Sequence, residues 1–266
     1  MNQKLDRLKE YFIGLESAAV AFSGGVDSSV LAAVAFSALG DKMIAVTGIS
    51  PSVPARDLES AVSFCKKRGM PHVIIKTGEF GDPNYLANPE NRCFYCKKNL
   101  LESISAEAKK RGIKHIAEGT NSSELAGHRP GFQAKKEVAG VVTPFTDLSF
   151  GKEEVRELAK YLRLETAAKP ANACLSSRIP TGEKIDAGAL KRIDKAEDFL
   201  IALGIAQVRV RHHGNLARIE TDEQGIGVCF ANRILIRQRI TELGWKHVTL
   251  DLGGYRCGGG MTSSTN

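Results

Sequence analysis

Long hydrophobic runs are missing from this sequence: no apolar stretch approaches the roughly 20 residues that a bilayer-spanning helix requires. Its opening segment, Met1–Glu10, is charged and reads as an amphipathic helix, not as an export signal, so a cytoplasmic protein with no membrane partner is expected. Cysteine is scarce and unevenly spaced, six residues in 266, which argues for catalytic, metal-binding or buried thiols over a disulfide framework. Aromatic residues make up only 6%, and no basic run is interleaved with them. A nucleic-acid-binding module of that kind is therefore not expected. What remains is an ordinary folded composition, 42% hydrophobic and 25% charged, with a formal net charge of +7 that favours anionic partners such as nucleotides. The length exceeds one usual core, so one large domain and a smaller one are expected.

From Ala18 to about Lys169, short apolar runs alternate with helical patterns. Strands are predicted at Ala18–Phe22, Met43–Ile49, His72–Thr77, His115–Glu118 and Val141–Pro144, and helices at Ser28–Ala38, Ala55–Arg68, Phe94–Arg111 and Lys152–Leu162. Gly40, Gly69 and Gly112 sit where left-handed helix caps belong. This rhythm predicts an α/β fold, a doubly wound parallel sheet. After Pro170 the pattern changes to a helix at Ala187–Leu203, a hairpin formed by Gln207–His212 and Leu216–Thr221, a helix at Val228–Leu243 and a strand at His247–Leu252. That order predicts a small α+β domain. The histidines His128, His212 and His213 read as ordinary surface residues.

The segment Ser23-Gly24-Gly25-Val26-Asp27-Ser28-Ser29 follows the first strand and opens the first crossover helix. Its glycines let successive N–H groups converge on an anion, and the helix N-terminus and the serine hydroxyls add to the attraction. It lacks the lysine of a Walker A loop and the spacing of a dinucleotide fingerprint. A plain helix-capping turn would use some of the same residues. The segment nevertheless closely resembles the PP-loop ATP pyrophosphatase superfamily. That resemblance implies that the loop holds the β,γ-pyrophosphate of ATP, that ATP is cut to AMP and pyrophosphate, and that Asp27 helps to hold Mg²⁺. Glu118-Gly119-Thr120-Asn121 ends a predicted strand, where ligands of open α/β sheets bind, so Gly119 and Thr120 join the expected nucleotide site. The run from Thr143 to Leu158 resembles a later superfamily element, and a capped amphipathic scaffold helix accounts for it equally well.

Cys93 and Cys96 lie at the start of a predicted helix beside Arg92, Lys97 and Lys98, where a helix N-terminus and cations lower a thiol pKa. Two cysteines do not close a structural zinc site, and no paired histidine motif completes one. Cys174, in the loop between the domains, is the candidate third thiol. Together the three suit three irons of a [4Fe-4S] cluster with one iron left open; buried or redox-silent thiols are the plainer reading of Cys93 and Cys96. Cys65 and Cys229 continue apolar helix stripes and read as core. Cys257 carries no assigned role.

Three stretches carry a narrower resemblance: Asn91-Arg92-Cys93-Phe94-Tyr95-Cys96-Lys97, the run from Ala173 to Gly182, and Val208-Arg209-Val210-Arg211-His212. They are similar to the LarE family of ATP-dependent sulfur transferases, in matching order over nearly the whole chain. The resemblance implies a pyridinium-3,5-dicarboxylate mononucleotide substrate whose carboxylates are adenylylated and converted to thiocarboxylates, on the way to the nickel-pincer nucleotide of lactate racemase. It also implies a homo-oligomer and ATP, Mg²⁺ and, for a member with Cys93, Cys96 and Cys174, a [4Fe-4S] cluster recharged by a separate sulfur donor. In the other form of the family, the cysteine matching Cys174 gives up its own sulfur. Arg178, Arg209 and Arg211 would meet the substrate phosphate with Ser177 beside them, while Glu197 and Glu220 resemble acidic residues that line the family's substrate site. Solvated surface charges would look the same in sequence.

The expected layout is a PP-loop domain over 1–170, a catalytic loop over 171–182, a small substrate and oligomerisation domain over 183–254 and a disordered tail over 255–266. Three other readings share parts of this pattern. A tRNA-thiolating PP-loop enzyme would use a similar CxxC. An ammonia-dependent ligase like NAD or GMP synthetase would share the loop but not need the three cysteines. A nucleotide-binding regulatory module would form no AMP.

Overall fold

The computed structural model describes residues 2–124, 131–169 and 173–256. His128, residues 170–172 of the expected catalytic loop and its approach, and Cys257 with the rest of the tail lie outside the described residues. The chain divides into two compact units. One comprises Met1–Ser50, Ala55–Pro83 and Asn91–Asn172, the other Pro51–Pro54, Asn84–Glu90 and Ala173–Asn266. Two short loops from the first half of the sequence thus belong to the second unit, a discontinuity with no local sequence signal.

In the first unit, α1 (Asn2–Leu15) leads to β1 (Ala18–Ala21), α2 (Val26–Leu39), β2 (Met43–Ile49), α3 (Ala55–Arg68) and β3 (His72–Lys76). The short α4 (Pro83–Leu86) precedes the long α5 (Arg92–Lys110). Then come β4 (Ile116–Ala117), the single turns α6 (Gly131–Ala134) and α7 (Pro144–Asp147) on either side of β5 (Val141–Val142), and α8 (Lys152–Tyr161). All five strands pair in parallel in the order β3-β2-β1-β4-β5. This is the α/β doubly wound sheet that the alternation predicts. Successive residues of β1 point to opposite faces. Ala18 and Val20 pack with Leu8 and Phe12 of α1, Leu31 of α2 and Leu158 of α8. Ala19 packs with Leu101, Ile104 and Ala108 of α5. Cys65 is buried in the first of these cores, and the apolar surroundings push its thiol up to about 11 against the weaker opposing pull of Arg68. Among the described residues, no helix is long and apolar enough to cross a membrane.

The second unit holds α9 (Ala187–Ala202), the antiparallel pair β6 (Val208–His213) and β7 (Leu216–Thr221), α10 (Glu223–Ala231), α11 (Arg233–Glu242) and β8 (His247–Leu250), with sheet order β6-β7-β8. The hairpin turns on Gly214-Asn215, and Gly214 takes the positive φ of 58° that such two-residue loops require. One helix was expected over Val228–Leu243, and two are present. The Asp222 carboxylate accepts from the Gly225 amide and starts α10 early. Asn232 donates back to the Val228 carbonyl and ends it, the competition with helical bonding for which asparagine is known. The two described histidines expected at the surface are half-buried. Trp245 Nε1 donates to His212 Nδ1 at 3.0 Å, and burial first, then nearby arginines, hold both His212 and His213 below the usual imidazole value.

Asn88 organises this unit's entry loops. It is fully buried at φ 55°, and its amide donates to the carbonyls of Pro180 at 2.7 Å and Glu183 at 3.0 Å. Replacing Asn88 with Ala removes both bonds, leaving the Pro180 carbonyl with the Glu183 amide at 3.1 Å, and should destabilise the protein by about 1–3 kcal/mol, read from urea unfolding. A midpoint unchanged from the parent protein would show that water satisfies those carbonyls instead.

Candidate active site

The sheet order reverses between β1 and β4, so their following connections leave in opposite directions and open a crevice at the carboxyl ends of the strands. The two segments singled out for nucleotide binding, 23–29 after β1 and 118–121 after β4, both lie there. Gly24 has φ 69°, and a Cβ on it would sit 3.3 Å from the Ala61 Cβ of α3, so conformation and space both select glycine. Ser28 Oγ bonds the Gly25 carbonyl at 3.1 Å and approaches Ser23 Oγ at 3.2 Å, while the Ser23 amide donates to it. These bonds shape the loop before any ligand arrives. Ser29 Oγ and Asn121 Oδ1 are buried without a hydrogen-bond partner. Buried polar atoms without a protein partner beside a glycine cradle suit a polar ligand.

Gly119 closes the other side: a Cβ there would lie 3.3 Å from the Ser28 amide nitrogen and 3.4 Å from Asp27. Asp27, in the first turn of α2, receives a bond from Asn121 Nδ2 at 3.3 Å and pairs with Lys152 at the start of α8. Lys169 donates to the Gly24 carbonyl at 3.3 Å and pairs with Asp57 at 3.1 Å. The later superfamily element thus places Lys152 against Asp27. Neither lysine stood out in the sequence; Lys152 had the one available signal, a first helical position just after Gly151.

Cys93 and Cys96 lie in the first turn of α5, three residues apart and so on one face of the helix. Cys93 is exposed and Cys96 partly so, and neither is in a disulfide. Next to Cys96 in sequence, Lys97 binds the buried carboxylate of Glu118 in the nucleotide segment, which also accepts from the Thr120 hydroxyl. Burial alone would push the Glu118 carboxyl up, but Lys97 and Thr120 outweigh it and hold the group below its ordinary value.

The second unit presents Cys174 at the head of a tight turn, Leu175–Arg178. Cys174 is partly exposed. The turn is tied from every side. The Leu175 amide donates to the Ser52 carbonyl at 2.9 Å, and the Tyr85 hydroxyl meets Ser176 Oγ at 2.7 Å. Arg178 and Glu197 are both fully buried and paired, Nε to Oε1 at 2.8 Å and Nη2 to Oε2 at 3.0 Å. Arg211 pairs with Glu220 and donates to the Ser177 carbonyl at 2.7 Å. Arg209 lies in contact with the Tyr255 ring, 5.2 Å from its centroid, and burial first, then the Arg178 charge, hold it below the usual guanidinium value. None of these five charged residues is a solvated surface group. Among the described residues, no three His, Cys, Asp or Glu side chains are gathered as a metal-binding group.

A family model described as NAD synthase matches residues 2–182. An uncharacterised protein of Synechocystis is 41% identical over 260 residues, covering 97% of each chain. The pyridinium-3,5-bisthiocarboxylic acid mononucleotide synthase of Lactiplantibacillus plantarum is 31% identical over 245 residues, 92% of this chain and 88% of that one. A glutamine-hydrolysing GMP synthase subunit of Pyrococcus abyssi is 28% identical over 191 residues, 62% of this chain and 56% of that one.

Two measurements bear on this geometry. Adding a methyl group in Gly119→Ala should weaken ATP binding roughly tenfold in calorimetry, since the crowding is against backbone; an unchanged affinity would place the nucleotide elsewhere. The second concerns pH. Because the Glu118 pKa is depressed on folding, its contribution to stability is present above the unfolded value near 4.5 and is lost as pH falls through the folded value. In Lys97→Met burial is opposed by Thr120 alone and the folded value moves up, so the stability this group contributes at neutral pH should shrink, visible as a lower Tm at pH 7 and a smaller fall in Tm than the parent's as pH drops from about 7 to below 4.

Proposed function

The chain belongs to the LarE family of PP-loop ATP-using enzymes, and from that premise we propose that it adenylylates the carboxylates of a pyridinium-3,5-dicarboxylate mononucleotide and converts them to thiocarboxylates. The observation that carries the first half is the 23–29 loop at the sheet's switch point, with the orphaned Ser29 hydroxyl beneath it. There Ser23, Gly24, Gly25, Val26, Ser28 and Ser29 would cradle the pyrophosphate, with Gly119 and Thr120 across the crevice. Lys152 and Lys169 would offset its charge. Asp27 would help to hold Mg²⁺, with Lys152 giving way to the ion. A substrate carboxylate oxygen attacks the α-phosphorus, the bond to the β-phosphate bridging oxygen breaks, and pyrophosphate leaves. The carboxyl carbon then carries AMP as a good leaving group. A sulfur nucleophile adds to that carbon, and the C–O bond to AMP breaks to leave a thiocarboxylate.

For the second half the chain offers three thiols, which are not gathered as a metal-binding group among the described residues. Cys93, Cys96 and Cys174 are in no disulfide and at least partly exposed, and the first two share a helix face. They are the residues that would hold a [4Fe-4S] cluster, which when bound supplies sulfide for transfer and is replenished by a sulfur donor. The substrate's phosphate would meet Ser177, Arg209 and Arg211, the last paired with Glu220, while Arg178 and Glu197 are fully buried against each other. Phe230, Ile234 and Leu235, exposed on and beside α11, support assembly as a homo-oligomer. Accessible thiols outside any disulfide suit the cytoplasm, the compartment in which thiols are kept reduced.

The match to NAD synthase favours one other reading, an ammonia-using ligase, and the cysteines separate the two. With pyridinium dicarboxylate mononucleotide and ATP under anaerobic conditions, the protein should form AMP and thiocarboxylate. Cys174→Ala should lose sulfur transfer by at least about 100-fold. Iron and sulfide analysis of the anaerobic protein should give a cluster that Cys93→Ala abolishes. An iron-free protein whose Cys174 loses the elements of H₂S on turnover would assign the sacrificial form, and amide formation from ammonia by the Cys174→Ala variant would assign the ligase.

A further inference from the structure

Three donors converge on one carbonyl in the second unit. The Cys174 oxygen accepts from the Ser177 amide at 3.1 Å, from Ser177 Oγ at 2.8 Å and from Arg178 Nη1 at 2.8 Å. The same Nη1 reaches the Ala173 carbonyl at 2.6 Å, so one guanidinium nitrogen bridges the peptide units on both sides of Cys174. The other edge of that guanidinium is locked against Glu197, whose Oε1 also accepts from the Val210 amide of β6 at 3.1 Å. A chain of charge-assisted bonds therefore runs from the sheet, through α9, to the backbone that carries the thiol. The far end of the turn is held in the same manner by the Arg211–Glu220 pair acting on the Ser177 carbonyl.

We propose that Arg178 is a positioning residue for Cys174, and that with Glu197 it fixes the backbone on both sides of that cysteine so that the thiol is presented in one orientation. The inference rests on the reading of Cys174 as the sulfur-handling cysteine and assigns Arg178 a role other than substrate ligand. Burial decides between the two roles. Both side chains are 0% exposed. A phosphate reaching Arg178 would have to displace Glu197 and leave a carboxylate buried and unpaired, which is strongly unfavourable. Lysine cannot perform the task, because a single ammonium lacks the planar fork that faces Glu197 and two carbonyls at once. Misplacing a reacting group by about 1 Å costs on the order of 100-fold in rate.

The test uses the full chain in two variants. Arg178→Lys keeps the charge and loses the fork. The double variant Arg178→Met with Glu197→Met removes both charges together, so neither is stranded in the interior. Three quantities are read: amide hydrogen exchange over residues 174–179, the rate at which iodoacetamide alkylates Cys174, followed on its peptide by mass spectrometry, and the separate kcat and KM of turnover. Exchange should rise about tenfold or more over the turn while α9 and β6 stay protected, and Cys174 should alkylate faster. Turnover should lose roughly 10- to 100-fold in kcat with KM moving less than about threefold. Unchanged exchange and alkylation with a tenfold rise in KM would overturn the proposal and make Arg178 a substrate ligand. If the double variant does not fold, Arg178→Lys decides by the same readings. If the parent protein turns over no pyridinium carboxylate, the proposed function fails, while exchange and alkylation still judge the positioning role.

Discussion

An all-parallel sheet cannot be closed by tight turns: every connection must cross a face, and helices must cover both faces. Where the strand order reverses, neighbouring connections part and leave a cleft with strand ends at its floor. Between β1 and β4 that constraint determines where a ligand can approach the first unit, and the details follow from it. Gly24 and Gly119 are the residues whose lack of a side chain keeps the cleft narrow, one against α3 and the other against the start of α2. Asp27, Asn121 and Lys152 meet there because three different connections end at the same place.

The second unit solves a different problem. Its turn at 174–178 has carbonyls that no regular ladder satisfies, and buried carbonyls need partners. Apolar packing could hold such a turn in the interior but could not orient its peptide planes. Two buried arginine–glutamate pairs do that, at the cost of desolvating four charges. Such pairs add little net stability against well-packed apolar residues, so their value here lies in the geometry they impose.

The proposed chemistry divides along the same lines. Adenylation needs positive potential and backbone donors around a leaving pyrophosphate, which the loop, α2 and two lysines of the first unit can supply. Sulfur transfer needs a thiol held in register, which the pinned turn of the second unit can supply. Cys93 and Cys96 extend the thiol set from the first turn of α5, where Lys97 ties the same turn to Glu118.

Much of the first unit was legible because its signals are local. Helix caps, period-2 and period-3.6 patterns and the Ser-Gly-Gly run depend on neighbours in sequence, and so strands such as Met43–Ile49 and helices such as Ala55–Arg68 could be bounded to the residue. The break at Asn232 was missed because asparagine inside an apolar pattern reads as one unfavourable helix residue until its amide is seen to bond Val228. Residue types also singled out Cys93, Cys96, Cys174 and the arginines. Their partners were not legible: Lys152 for Asp27, Lys97 for Glu118 and Glu197 for Arg178 are separated by 125, 21 and 19 residues. The sequence by itself determined which chemistry-bearing groups the protein owns and the sheet that carries the first of them. Only the tertiary structure decided which charges are buried and which group each one holds, because burial and pairing depend on what the folded chain brings within a few ångströms, not on what lies beside it in sequence.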